Sequence, residues 1–175
     1  MSYEDEPWFQ FLDTVMKDLV KDSYTLLTFF EKLDQGKPAG NNPASNILAL
    51  SSLHDYGFIV FPIAKAYEGF LKKWFFLNGF IDQLTYNSDH FRIGKSLNPS
   101  LPRRFQRRDY VYSKIVSHCP NQNLGDQLWD AWKQCRNLVV HYFPHHQHCL
   151  SLKNARQRIN QLSKAMADAI ELNPK

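Results

Sequence analysis

The chain has 175 residues, of which 43% are hydrophobic and 14% aromatic, which excludes a disordered protein and predicts one folded domain over residues 1–175. Its formal charge of +4 is unevenly distributed, because residues 1–91 sum to −5 and residues 92–175 to +9, with all 8 arginines after position 91. This asymmetry indicates a polyanionic partner such as nucleic acid for the second half, or else a basic surface that only maintains solubility.

The cysteines and the N-terminus indicate a cytoplasmic protein. Cys119, Cys135 and Cys149 form no CxxC pair, and their odd number argues against a disulfide framework. The acidic start MSYEDEPW does not resemble a secretion signal, and the apolar run GFIVFPIA is too short to span a bilayer, so we expect no membrane partner. Only 7 glycines, with prolines at segment edges, favour an all-α fold over a strand-rich sandwich.

Apolar residues recur at helical spacing from position 6 to position 35, which predicts a long N-terminal helix. Pro7 suits its first turn, and Gly36 and Pro38 end it. The next segment, GKPAGNNPAS, is predicted to be a loop, and a short helix is expected around Ile47 to Leu53.

A longer helix is predicted over residues 56–77, with Asp55 as its N-cap. Pro62 requires either the first turn or a kink. We interpret the aromatic residues as core packing and not as a cofactor site. The predicted buried face runs through Phe58, Phe61, Ala64 or Lys65, Leu71 and Phe75.

A basic segment follows an irregular connection at residues 86–102. The sequence RRFQRRDYVYSKIVSH, residues 103–118, predicts a helix with arginines at i, i+1, i+4 and i+5. Arginines interleaved with aromatic residues suit RNA, whose phosphates need cations and whose bases stack, although a solvated helix face fits the same pattern. The predicted RNA-binding stripe consists of Arg103, Arg104, Arg107 and Arg108.

The next helix is predicted over residues 124–142 and ends before Pro144. Its core face is predicted to hold Leu124, Leu128, Ala131, Trp132, Cys135, Leu138, Val139 and Tyr142. Its outer face holds Trp129, Lys133, Arg136, Asn137, Val140 and His141. A closing helix is expected to be capped by Ser151 and to bury Ile159, Leu162, Met166 and Ile170.

On an ideal helical wheel, Asn137 and His141 are neighbours, whereas Arg136 and His141 lie about 140° apart. Exposed Trp129 and Val140 beside these polar residues need cover from another part of the chain or from a second subunit. If the partner is an identical chain, two-fold symmetry brings two copies of the polar set to one cleft.

Such a paired cleft suits RNA cleavage by the substrate's own 2′-hydroxyl. Two histidines share the acid and base roles near neutral pH, and arginines hold the phosphate, so no metal or other cofactor is needed. Asn137 is predicted to orient the imidazole of His141. Lys133 on the outer face and His145 beyond the helix are predicted to bind RNA as well.

The segment RNLVVH, Arg136 to His141, resembles the R-x4–6-H motif of HEPN ribonucleases, with an asparagine in the polar position after the arginine. The segments AKAYEGFLKKWF and LSLKNARQRINQLSKAM also resemble helices of HEPN toxins, most nearly those of the RNase LS type. As architecture, the similarity covers residues 45–172 and leaves the N-terminal helix, residues 6–35, outside the HEPN-like core.

The resemblance implies an all-α, HEPN-like bundle of four to six helices with an up-and-down core. It also implies a homodimer with a composite cleft and metal-independent RNA cleavage that leaves a 2′,3′-cyclic phosphate. It also implies a role in toxin–antitoxin, antiphage or CRISPR-linked defence, with an antitoxin or another defence protein as a further partner. The residues carried over as catalytic are Arg136, Asn137 and His141.

Other functions fit the sequence less well. HYFPHHQHC has no standard zinc spacing, Cys135 lies on a predicted core face, and RIGKSL lacks the first glycine of a phosphate-binding loop. The main alternative is a non-catalytic helical module that binds nucleic acid or a protein through its basic half. A structural helical dimer without an RNA role is the third possibility.

Overall fold

The structure is a computed structural model that describes residues 2–35, 53–119, 123–142, 144 and 149–172. The loop predicted after Gln35, most of the predicted short helix at 47–53, and His145 lie outside these residues. Within them the fold is all-α, as predicted, and contains no strand. None of the described helices combines the length and the apolar content needed to cross a bilayer.

Eight helices make up the described part of the chain, and they are numbered here in chain order. The first six are α1 Pro7–Phe11, α2 Thr14–Gln35, α3 Gly57–Leu77, α4 Gln83–Tyr86, α5 Ile93–Ser96 and α6 Tyr112–His118. Helix α7 comprises Leu124–Trp132, a π-helical turn Lys133–Asn137 and a last turn Leu138–Val140, and α8 is Leu152–Glu171. Helices α4 and α5 are single turns within the stretch that includes the predicted irregular connection.

Helix α3 forms the centre of the bundle and packs against α2, α7 and α8. More than half of its residues are buried, including Tyr67, Phe70, Leu71 and Trp74. The prediction for its buried face is partly wrong, because Phe58 and Phe61 are 42% and 50% exposed. The buried face is shifted by one to two positions, since Ile59, Val60 and Ile63 point into the core instead.

The predicted N-terminal helix, residues 6–35, is two helices. Leu12 has extended backbone angles (φ −69°, ψ 146°) and ends α1. Lys73 on α3 holds the break in place, because its Nζ donates to the Phe11 carbonyl at 2.8 Å and pairs with Asp13. The break lets α1 pack against α8 while α2 packs along α3.

Pro62 lies inside α3 without breaking it. A proline disturbs the hydrogen-bond ladder of the preceding turn. The amide of the next residue, Ile63, donates at 2.9 Å to the buried hydroxyl of Ser23 on α2. At the start of the helix, Asp55 Oδ1 accepts from Gly57 N at 2.8 Å, so its side chain caps the first turn although Tyr56 is the N-cap residue.

The predicted basic helix at residues 103–118 is wrong for its first half. Arg103–Phe105 is a single 3₁₀ turn, and a regular helix begins only at Tyr112. Buried Ser96 on α5 explains this, because its hydroxyl donates to the Asp109 carbonyl and its own carbonyl accepts from Val111 N at 2.9 Å. Tertiary hydrogen bonds therefore hold this stretch outside a helix, and the four arginines do not form a helical stripe.

Candidate active site

Helix α7 is anchored by its apolar face, which positions the first residues of the RNLVVH motif. Leu128, Ala131 and Cys135 are buried as predicted, and Tyr67 donates its hydroxyl to the Leu128 carbonyl at 3.0 Å. The prediction that Tyr142 lies on the core face is wrong, because this residue lies beyond the helix end and is exposed. Trp129 on the outer face is half-buried and stacks on Trp132 at 5.5 Å, so part of its cover comes from the same chain.

A π-helical turn from Lys133 to Asn137 carries the first two residues of the motif. Cys135, in the middle of this turn, donates its thiol to Gln161 Oε1 on α8 at 3.2 Å. Burial raises the pKa of this thiol to about 12, so the group is protonated near neutral pH and serves packing instead of catalysis. A π turn takes more residues per turn than an α-helix, so an ideal wheel misplaces the residues that follow it.

His141 has left the helix, which corrects the predicted helix of 124–142. Its backbone is extended (φ −102°, ψ 134°), although its amide still donates to the Asn137 carbonyl at 3.3 Å. The imidazole lies back against the helix, with Nε2 at 3.1 Å from Arg136 Nη1. The predicted separation of Arg136 and His141 on opposite edges of the outer face is therefore wrong, and the two side chains touch within one chain.

The contact fixes the relative position of the guanidinium and the imidazole. A guanidinium donates hydrogen bonds and cannot accept them, so Nε2 of His141 is the acceptor. The arrangement thus places Nε2 of His141 directly beside a fixed positive charge.

Glu68 on α3 positions Arg136. Its Oε1 lies 3.1 Å from Arg136 Nε and accepts from Trp132 Nε1 at 3.3 Å. The side chains of Arg136 and Glu68 are only 28% and 30% exposed, and the guanidinium also lies over the Trp132 ring at 5.8 Å. Glu68 was not among the predicted site residues, although a single acid in an apolar helix such as 57–77 is a signal that a cation lies nearby.

The predicted catalytic residues share one cleft of about 360 Å³. Its less polar wall is formed by Phe91, Ile93, Gly94 and Trp132. Its polar side chains are Glu68, Lys72, Arg92, Arg136, Asn137 and His141. Three cations and one carboxylate give the cleft an excess of positive charge. The cleft therefore suits an anion of the size of a nucleotide unit, and Lys72 and Arg92 are two cations that the sequence analysis did not select.

Gly94 allows α5 to approach α7 closely enough to close this cleft. A Cβ at this position would lie 2.7 Å from Cζ2 of Trp132, closer than real Cβ contacts come. The ring of Trp132 is buried and its indole nitrogen is bonded to Glu68, so it has little freedom to move away. The glycine is required here by close packing.

The predicted RNA-binding residues do not join the cleft. Arg103, Arg104, Arg107 and Arg108 are exposed and line no part of it; Arg108 pairs instead with Asp82 at 3.2 Å. Lys133 is also exposed and outside the cleft lining. His145 is among the residues that the structure does not describe.

The described residues contain no group of three or more His, Cys, Asp or Glu side chains placed to hold a metal ion. His145, His146 and His148 lie outside the described residues.

The chain was compared with models of protein families, with curated proteins and with solved structures. None of the three comparisons finds a match.

Proposed function

We propose that the protein is a metal-independent endoribonuclease of the HEPN type that acts through Arg136, Asn137 and His141. One contact supports the proposal above all: the guanidinium of Arg136 and Nε2 of His141 lie 3.1 Å apart in a cleft that also holds Lys72 and Arg92. The spacing of the motif does not require this contact, because an ideal helix separates the two side chains.

In the proposed reaction, a phosphodiester of RNA takes the hydrogen bonds of Arg136, which leaves Nε2 of His141 beside the ribose. Nε2 removes the proton of the 2′-hydroxyl, whose oxygen attacks the adjacent phosphorus. The bond from phosphorus to the 5′-oxygen breaks, and that oxygen receives a proton. The products are a 2′,3′-cyclic phosphate and a 5′-hydroxyl, and Arg136 with Lys72 stabilises the charge on the phosphorane.

A homodimer supplies the second proton-transfer group in this proposal. Among the described residues that line the cleft, His141 is the one imidazole, and one imidazole cannot hold a proton and lack it in the same step. A second copy of the chain brings a second His141.

The test is cleavage of a 5′-labelled RNA by the purified protein with EDTA present. We expect the wild type to leave a 2′,3′-cyclic phosphate. Arg136→Ala and His141→Ala are each expected to lower the rate at least about a hundredfold, because general acid–base catalysis and charge stabilisation contribute that much. His54→Ala removes an exposed histidine that does not line the cleft and is the matched control.

Equal cleavage by all four proteins would identify a contaminating nuclease and overturn the proposal. Circular dichroism and solution mass are measured for each variant, so that a lost fold or a lost dimer is not mistaken for lost chemistry. Loss of activity in the two motif variants, with fold and dimer retained, supports it.

A second candidate is a module that binds nucleic acid without cutting it. The exposed arginines at 103–108 favour this function, because they lie outside the cleft and need no catalytic residue. This function would be supported if the wild type binds RNA without cleaving it and if His141→Ala does not change that binding. In the defence context that the HEPN resemblance implies, an antitoxin or another defence protein is a further partner of either form.

A further inference from the structure

A second, more apolar pocket adjoins the cleft. It has a volume of about 230 Å³ and is lined by Phe61, Ala64, Lys65, Glu68, Arg136 and Val140. Phe61 and Val140 are large apolar side chains that remain 50% and 37% exposed. Nothing in the proposed chemistry at His141 uses either residue.

The pocket and the cleft share one wall. Arg136 and Glu68 line both, and their ion pair, with Nε and Oε1 3.1 Å apart, separates the two spaces. His141 and Asn137 lie on the cleft side, and Val140 lies on the pocket side. A phosphate bound to Arg136 therefore has the acid–base residue on one flank and an apolar hollow on the other.

The composition of the pocket suits a flat apolar group that is attached to an anion. An aromatic ring with a half-exposed face stacks on nucleobases of any identity, and Lys65 and Arg136 at the edge attract the phosphate that carries the base. The hollow is small enough for a single flat ring, and it is lined by two cations and one carboxylate. Shape and charge both favour a nucleobase over a second copy of the chain.

We propose that Phe61, Lys65 and Val140 form a nucleobase-binding pocket that seats the base next to the phosphate held by Arg136. The inference rests on the proposed function, because it takes RNA as the ligand of the cleft. It adds a binding residue, Phe61, whose loss affects affinity for the base and not the proton transfers. The pocket tolerates different bases, since stacking on a ring does not read hydrogen-bonding edges.

The test measures binding with ligands that cannot be cleaved. A 2′-O-methyl octaadenylate blocks the attacking hydroxyl, and an octamer of abasic spacer phosphate keeps the charge without bases. Fluorescence anisotropy with the full chain is expected to show that Phe61→Ala binds the adenylate about tenfold more weakly and the abasic octamer equally well. Phe58→Ala is the control, because Phe58 is 42% exposed on the same helix but does not line the pocket.

Three results overturn the inference: equal adenylate binding by Phe61→Ala and the wild type, equal weakening of both ligands, or conversion of a wild-type dimer to a monomer by Phe61→Ala in sedimentation. The last result would make the pocket a subunit contact.

Failure of the proposed function is distinguishable from failure of this inference. If the wild type cleaves RNA and Phe61→Ala has no effect on binding, only the nucleobase-pocket inference is wrong. If binding depends on the bases but no RNA is cleaved, only the nuclease proposal is wrong. If the wild type neither binds nor cleaves RNA, both are wrong.

Discussion

Glu68 is the residue that joins the two halves of the candidate site. Its Oε1 contacts both Arg136 and Trp132, which lie one turn apart on α7, so a residue of α3 sets the position of the guanidinium. A carboxylate is electrostatically unfavourable in a cleft that we propose binds the phosphate of RNA. Its presence there is explained if orientation of Arg136 matters more to the reaction than binding strength.

Glu68→Gln separates these two effects. The amide oxygen still accepts from Trp132, but the charge that holds Arg136 is lost, so we expect kcat for RNA cleavage to fall about ten- to hundredfold. KM is expected to fall as well, because the cleft loses its negative charge. Steady-state kinetics on one RNA at several concentrations measures both.

Glu31→Gln is the control for that experiment. Glu31 forms a comparable ion pair with Arg156, and neither residue lines the cleft. We expect its kinetic constants to be unchanged. A rise in KM for Glu68→Gln, with kcat unaltered, would mean that Glu68 does not position Arg136.

At the scale of helices, the spacing of the motif residues identified the motif in the sequence. The spacing did not predict how their side chains lie relative to one another. The RNLVVH pattern is local, so Arg136, Asn137 and His141 are selected without knowledge of the fold, and they do line one cleft. The helical wheel predicted the wrong separation of Arg136 and His141, because α7 contains a π turn and ends at Val140. The turn is tied to α8 through Cys135 and Gln161, and such contacts across the chain are not encoded in the spacing of one helix.

The same limit explains the basic segment and the central helix. The arginines at 103–108 have helical spacing, but Ser96 binds the backbone of residues 109–111 and prevents a helix there. Periodicity identified most of the buried face of α8, where Ile159, Leu162 and Met166 are buried and Ser151 caps the first turn at 3.2 Å from Asn154 N. Hydrophobic periodicity predicts the buried residues correctly where one face of a helix packs against the core. It fails where a single polar contact determines whether a helix forms.

The packing of α5 on α7 predicts the effect of Gly94→Ala. The added methyl overlaps the Trp132 ring, and displacing that buried ring is expected to cost about 1–3 kcal/mol of unfolding free energy. RNA cleavage is expected to fall with it, because Trp132 supports Glu68 and Arg136. Urea denaturation and the cleavage assay give the two quantities.

Gly69→Ala provides the comparison. Its Cβ would meet Met16 Sδ at 2.6 Å, but a flexible methionine side chain can move, and alanine favours the helix interior. We expect nearly unchanged stability and activity. Equal stability of Gly94→Ala and the wild type would show that the close approach of α5 is not needed.

Across the whole molecule, the site is assembled from segments far apart in the sequence. Glu68 and Lys72 come from α3, Arg92 from the residue before α5, and Arg136 from α7. The sequence identified the all-α class, the motif and the charge asymmetry, each of which is a local or summed property. It did not identify Glu68, Lys72 and Arg92, because the local pattern of a sequence does not show which helices pack against each other.

The division of charge between the two halves leads to the last prediction. The cleft accounts for two arginines, Arg92 and Arg136, whereas Arg104 and Arg107 are exposed outside it. If RNA extends from the cleft over this surface, each arginine neutralises a phosphate and releases a counterion. Arg104→Glu combined with Arg107→Glu is then expected to weaken RNA binding and to flatten the plot of log affinity against log salt by about 1 to 2 units of slope.

Lys21→Glu combined with Lys32→Glu is the matched control, because it changes the net charge equally at exposed positions of α2. A general charge effect predicts the same loss in both double variants, whereas a specific path predicts a loss only in the arginine variant. Binding measured at several salt concentrations separates the two. Unchanged affinity of the arginine variant would restrict RNA to the cleft and its neighbouring pocket, and the positive charge of the second half would then serve solubility alone.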